Sequence, residues 1–272
     1  MVASSALIAA VAGAAAGYVS QRALASRQAR INYEYQARSR LYEAVGPLRF
    51  QLLMACRDVV RRVSSHVVHK EWRLNPSGYY GSSTLYRLLR PLAVCILLER
   101  QMNAADFSVD PSSVQPLQFQ VSAYRMLTNA DPLKYYEGLD WAEQTQHVFR
   151  DNLRRAAARL VTDNAGGRPV VMDYATFLAT YPDPIADESL APLARIFKAA
   201  DGSLTHNAVF WVRLVGYAYL CQDFIQTTGT GLGFTNRSLD VRALLAQVDD
   251  SQILAKVGDQ ESVYRSVVAE GL

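Results

Sequence analysis

Arginine is the residue in this sequence best equipped for chemistry, and it is clustered. Arg57, Arg61 and Arg62 form one group, Arg87 and Arg90 a second, and Arg150, Arg154, Arg155 and Arg159 a third. The chain also carries 15 Tyr. Guanidinium forks bind phosphate oxygens in pairs and aromatic rings stack on bases, so this combination suits single-stranded nucleic acid or another anionic ligand. The candidate ligand-binding residues are Arg57, Arg61, Arg62, His66, Arg87, Arg90, Arg150 and Arg154. The plain alternative is that such arginines border a core: Phe149, Leu153 and Leu160 make an inward stripe, with Arg150 and Arg154 on one side of it and Arg155 and Arg159 on the other.

Other patterns carry less. His66 and His69 stand three apart on one helix flank, a spacing that can share a metal, but no carboxylate takes a third position; Glu71 falls past the helix end. No metal or other cofactor is implied. Gly229-Thr230-Gly231-Leu232-Gly233 follows a helix and lacks the Lys-Ser or Lys-Thr step of a phosphate loop, so it reads as a flexible turn. No Gly-x-Ser-x-Gly elbow, His-Glu-x-x-His helix or kinase-like set occurs, and the chain is not expected to be an enzyme. Cys56, Cys95 and Cys221 are far apart in sequence, each in an apolar stretch, and read as small core residues.

The elements that must position these groups are helices. Apolar residues recur at helical spacing, whereas alternating strand patterns are nearly absent, so the expected fold class is all-α. The run Val2 to Val19 has no charge and at about 1.5 Å per residue spans roughly 27 Å, close to a bilayer core of about 30 Å. It is expected to be a transmembrane helix. Arg22, Arg27, Arg30, Arg38 and Arg40 follow it, so its N-terminus should face outward, with the body in the cytoplasm against the inner membrane. Gly13 and Gly17 form a Gly-x-x-x-Gly step on a nearly flat face and are the candidate oligomerisation residues. Residues 1–100 hold 14 Lys and Arg against 5 Asp and Glu, a net of +9, while the rest hold 14 and 20, a net of −6. The expected divisions are residues 1–20, the span; 21–164, a basic membrane-proximal helical region; and 165–272, the C-terminal part of the same body.

Within the body, one helix should continue from Ser20 to about His69, broken or kinked at Pro47. A second should run from Ser83 to Ala104, distorted at Pro91, and a third from Pro116 to Asn129. Asp140 with Glu143 resembles a capping pair that opens a helix through Val161. The stretch from Asn164 to Pro169 marks a boundary, and short helices should follow over Met172 to Thr180 and Ser189 to Ala199. Ala208 to Cys221 is too short for a span and should be a buried helix, in which Arg213 needs a buried partner, Asp223 or a carboxylate from another helix.

The stretch Tyr79-Tyr80-Gly81-Ser82-Ser83-Thr84-Leu85-Tyr86-Arg87-Leu88-Leu89-Arg90-Pro91-Leu92-Ala93 resembles a segment of uncharacterised bacterial membrane-anchored proteins, over those fifteen residues only. The layout, one N-terminal span before a helical body, resembles transmembrane effectors of bacterial anti-phage defence of the Hailong type. That resemblance implies an oligomeric membrane effector held inactive by a DNA oligomer, and it carries no residue roles. The expectation is therefore a homo-oligomeric effector whose body senses an anionic ligand and controls a pore. The alternative is a membrane-tethered scaffold that recruits a protein partner.

Overall fold

The computed structural model describes residues 2–68, 74–102, 106–133, 147–199, 207–234, 238–248 and 250–270; for 2–16, 67–68 and 102 it describes the backbone alone. Helices dominate: α1 Val2–Val68, α2 Tyr79–Met102, α3 Gln115–Thr128, α4 Arg150–Ala158, α5 Tyr174–Thr180, α6 Ala191–Ala199, α7 Ala208–Phe224, α8 Val241–Leu245 and α9 Ser251–Ala269. Strands β1 Val161–Asp163 and β2 Pro169–Val171 form a small antiparallel hairpin.

Among the described residues no helix is long and apolar enough to cross a membrane. The expected transmembrane helix is corrected accordingly. The apolar character of Val2 to Val19 comes chiefly from Ala, with Leu7, Ile8 and three Val as its only large aliphatics. The helix that contains it has 67 residues and runs on without interruption through the arginines. The side-chain surroundings of the Gly13 face lie outside the described residues, and at Gly17 a Cβ would meet nothing within 4 Å.

At about 1.5 Å per residue α1 is roughly 100 Å long, far more than the body needs. Its first described side chains, from Gly17 to Asn32, are all exposed. The helix joins the body where Tyr33 donates to Asp106 at 2.8 Å and Tyr42 to Asp110 at 3.0 Å. Those two aspartates also cap consecutive 3-10 turns, Asp106 through Ser108 and Asp110 through Ser112, which gives shape to a segment expected to be loop. From there Leu41, Val45, Leu52, Cys56, Val59 and Val63 make a buried stripe of helical period against α2 and α7. Pro47 and Pro91 both sit inside continuous helices, so α1 is not broken at Pro47.

α7 is the buried helix expected from its apolar run, with every residue from Ala208 to Ala218 inside. Gly216 lets α9 and α3 come close, because a Cβ there would stand 2.5 Å from Met126 Sδ and 2.7 Å from Tyr264 Cε1. Tyr264 donates to the Val212 carbonyl at 2.6 Å and ties α9 to α7. Cys56, Cys95 and Cys221 are free and buried, and burial pushes the Cys56 and Cys95 thiols well up, so they stay protonated.

The segment Asn164 to Pro169 turns a hairpin, with Gly167 at φ +69° and Gly167 N–H donating to Asn164 O. Val161 and Val170-Val171 are too few to register as strands in sequence; the two three-residue strands pair from Val161 with Val171 to Asp163 with Pro169, and Met172 N–H donating to Leu160 O extends that ladder. The expected Asp140 and Glu143 cap lies outside the described residues; the described helix begins at Arg150 after Phe149.

Candidate anion-binding groove

Phe50, Met54, Arg57 and Arg61 are spaced i, i+4, i+7 and i+11, which puts them on one face of α1 away from its core stripe. Leu232, Gly233 and Phe234, from the turn after α7, stand opposite, and together the seven residues line a groove of about 350 Å³. Gly233, at φ +78°, closes that turn, and Phe234 N–H donates to Gly229 O, so the aromatic ring is held by backbone geometry. Phe50 and Phe234 meet edge to face at 5.5 Å, and the Arg57 guanidinium lies 6.0 Å from the Phe234 centroid. Among the described residues no carboxylate pairs with Arg57 or Arg61, and the Arg57 Nε is buried without an acceptor. Two guanidiniums one helical turn apart, flanked by two aromatic rings, can hold a phosphate and stack a ring beside it.

The other predicted residues are distributed as follows. Arg62 is buried and donates to Ser83 Oγ at 2.7 Å, with its guanidinium 5.7 Å from the Tyr80 ring. Burial and the neighbouring Arg87 pull its pKa down, and Tyr79 and Tyr174 act against that. α1 and α2 therefore bring Arg62 and Arg87 together beside three tyrosines, a second basic spot on the opposite side of the core stripe. Arg90 is committed to Asp58 at 3.0 Å, and Arg154 to Glu99 at 2.9 Å. Arg150 lies 5.2 Å from the Tyr124 ring. The groove thus gathers two of the eight predicted residues.

Arg213 is fully buried, and among its partners are His147 Nδ1 at 2.9 Å and the Asn129 carbonyl at 3.0 Å; no described contact pairs it with Asp223, the partner expected on its own helix. Burial pulls its pKa down to about 10, still charged at neutral pH. Phe50 and Met54 were legible in the spacing that carries Arg57 and Arg61. Phe234 was not, because it arrives from a turn far along the chain.

His66 packs 5.1 Å from Trp211 and is buried. Burial, and then the charge of Arg62, holds its pKa below the ordinary 6.5. A histidine depressed in the folded state is protonated first in the unfolded chain, so the stability present above the ordinary value is lost as pH falls toward the lowered one. We expect denaturant unfolding to show a loss of stability between about pH 7.5 and about pH 5.5, smaller in His66→Leu. Equal losses in the two proteins would refute a neutral buried His66.

Comparison with protein-family models, with curated proteins and with solved structures finds no match. None therefore bears on the resemblance to Hailong-type effectors.

Proposed function

We propose that this chain is a homo-oligomeric ligand sensor that binds single-stranded oligonucleotide or a similar anionic, ring-bearing ligand in the groove between α1 and the turn after α7. The observation that carries this reading is the pair Arg57 and Arg61, which shares a groove with the Phe50 and Phe234 rings and has no carboxylate partner among the described residues. Further cations such as Arg62 and Arg87, away from the groove, add to a basic first hundred residues and favour long-range association with an anion. The pore expected from the sequence required a transmembrane helix and falls with it.

The test is fluorescence anisotropy of a labelled oligo(dT) with the full chain over a range of salt. Each phosphate contact on a single strand contributes a slope of about −0.7 in log affinity against log salt, so two contacts predict roughly −1.4. Binding that ignores salt, or none at low ionic strength, overturns the proposal.

Assembly is assigned to the exposed half of α1. Leu24, Ile31 and Tyr35 lie at spacings of 7 and 4 on one face and are 66%, 50% and 76% exposed. This is the periodicity of a helix seam between chains. The same face also favours a second reading, a scaffold that recruits a protein partner. Light scattering separates the two: the wild type should be oligomeric, and Leu24→Glu with Ile31→Glu should reduce it to a monomer. A monomeric wild type would favour the scaffold.

A further inference from the structure

A second cavity, of about 220 Å³, lies between α3 and the end of α7. Its floor is apolar, formed by Phe119, Leu220, Phe224 and Val268, and its rim is polar, with Gln115, Gln118, Ser122, Asp223, Thr227 and Thr228. Asp223 is the one charged residue among the lining. It is half-buried, and among the described residues no cation or hydrogen-bond donor engages its carboxylate. Burial raises its pKa.

The backbone here is also irregular. α7 widens at its end into a π turn, Ile225–Gly229, which brings Thr227 and Thr228 onto the rim. Single π turns in α-helices recur at functional sites. Thr228 Oγ1 donates to Gln115 Oε1 at 3.2 Å and Arg49 Nη2 donates to the same oxygen at 3.3 Å, so the Gln115 amide keeps its own N–H donors for other contacts. The Ser122 hydroxyl has no partner among the described residues, although Ser122 is only 2% exposed.

A carboxylate that lines the same cavity as two aromatic rings, Phe119 and Phe224, whose centroids lie 5.0 Å apart, offers an ammonium group both an ion pair and a π face. The surrounding hydroxyls and amides can bind the polar end of a small molecule. We infer that this cavity is a binding site for a small organic cation, a primary amine carrying an apolar or aromatic group, with Asp223 as its counter-ion. Arg49, which donates to Gln115 at 3.3 Å, makes no ion pair with Asp223 among the described residues.

Benzylamine is the probe, with benzyl alcohol as the uncharged match, titrated into the full chain and followed by amide NMR and calorimetry. Benzylamine should shift the amide signals of Gln118, Thr227 and Thr228 and bind at least tenfold more tightly than benzyl alcohol. Asp223→Asn, which keeps the shape of the side chain, should remove that tenfold preference. The inference is overturned if the shifts fall elsewhere, if benzyl alcohol binds as well, or if Asp223→Asn retains the preference. Should Asp223→Asn fail to fold, the position of the wild-type shifts and the amine-to-alcohol ratio decide the matter alone. Oligo(dT) plays no part in this test, so its outcome is separate from that of the groove.

Discussion

Replacing both Arg57 and Arg61 by glutamate should lower affinity for labelled oligo(dT) at least about a hundredfold at low ionic strength and abolish its salt dependence. A charge-assisted hydrogen bond contributes about 1.5–3 kcal/mol, and two of them lost correspond to two or more factors of ten. Reversing the charges adds repulsion. Both side chains face the groove and neither pairs with a carboxylate among the described residues, so the fold loses little: the thermal transition should stay near that of the wild type. Arg90→Glu and Arg154→Glu give the contrast. Arg90 and Arg154 are held by Asp58 and Glu99, so their reversal should cost stability and leave oligonucleotide binding within a few-fold. Equal loss of binding at all four positions would mean that attraction is diffuse and that the groove has no special role.

The largest effect on stability should come from Gly81→Ala. A Cβ at Gly81 would collide with the Asn75 carbonyl and would stand 2.6 Å from the Leu74 carbonyl oxygen. Both are backbone atoms, so no side-chain rotation relieves the clash. The turn that leads into α2 would have to open, and Gly78 N–H would lose its 2.9 Å bond to Asn75 O. Overpacking of a tight site costs about 1–3 kcal/mol and more where backbone must move, so we expect about 3 kcal/mol or more in denaturant unfolding. Gly46→Ala is the opposite control. That site is inside α1 with nothing within 4 Å of the new methyl, and Ala should stabilise by up to about 1 kcal/mol. Similar effects of the two substitutions would show that propensity alone governs both.

The helical class was written in the sequence because a period of 3.6 in apolar residues is local: the stripe Leu52, Cys56, Val59 and Val63 names its own buried face before any partner is known. The same applies to α7, whose continuous apolar run specifies burial on all sides. Arg57 and Arg61 could be placed on the outer face of α1 for the same reason. An uncharged run is a weaker guide, since an Ala-rich stretch is a strong helix former whether or not it meets lipid, and Val2 to Val19 shows how far that ambiguity reaches. Pro47 does not break α1, because tertiary packing holds a long helix together through one missing hydrogen bond, and Pro91 likewise lies inside a continuous α2.

Only the tertiary structure decided which charges are spent and which are available. Ion pairs such as Arg90 with Asp58, Arg154 with Glu99 and Arg159 with Asp187 join residues 28 to 55 positions apart. No local pattern encodes such pairings. Phe234 meets Phe50 across the fold, and Asp223 is left facing a cavity because Arg213, the partner expected from proximity in sequence, points instead to His147 and the Asn129 carbonyl. On α7 these two residues are ten positions apart, about 280° around the helix at 100° per residue and about 15 Å along it, so one faces the body and the other the rim.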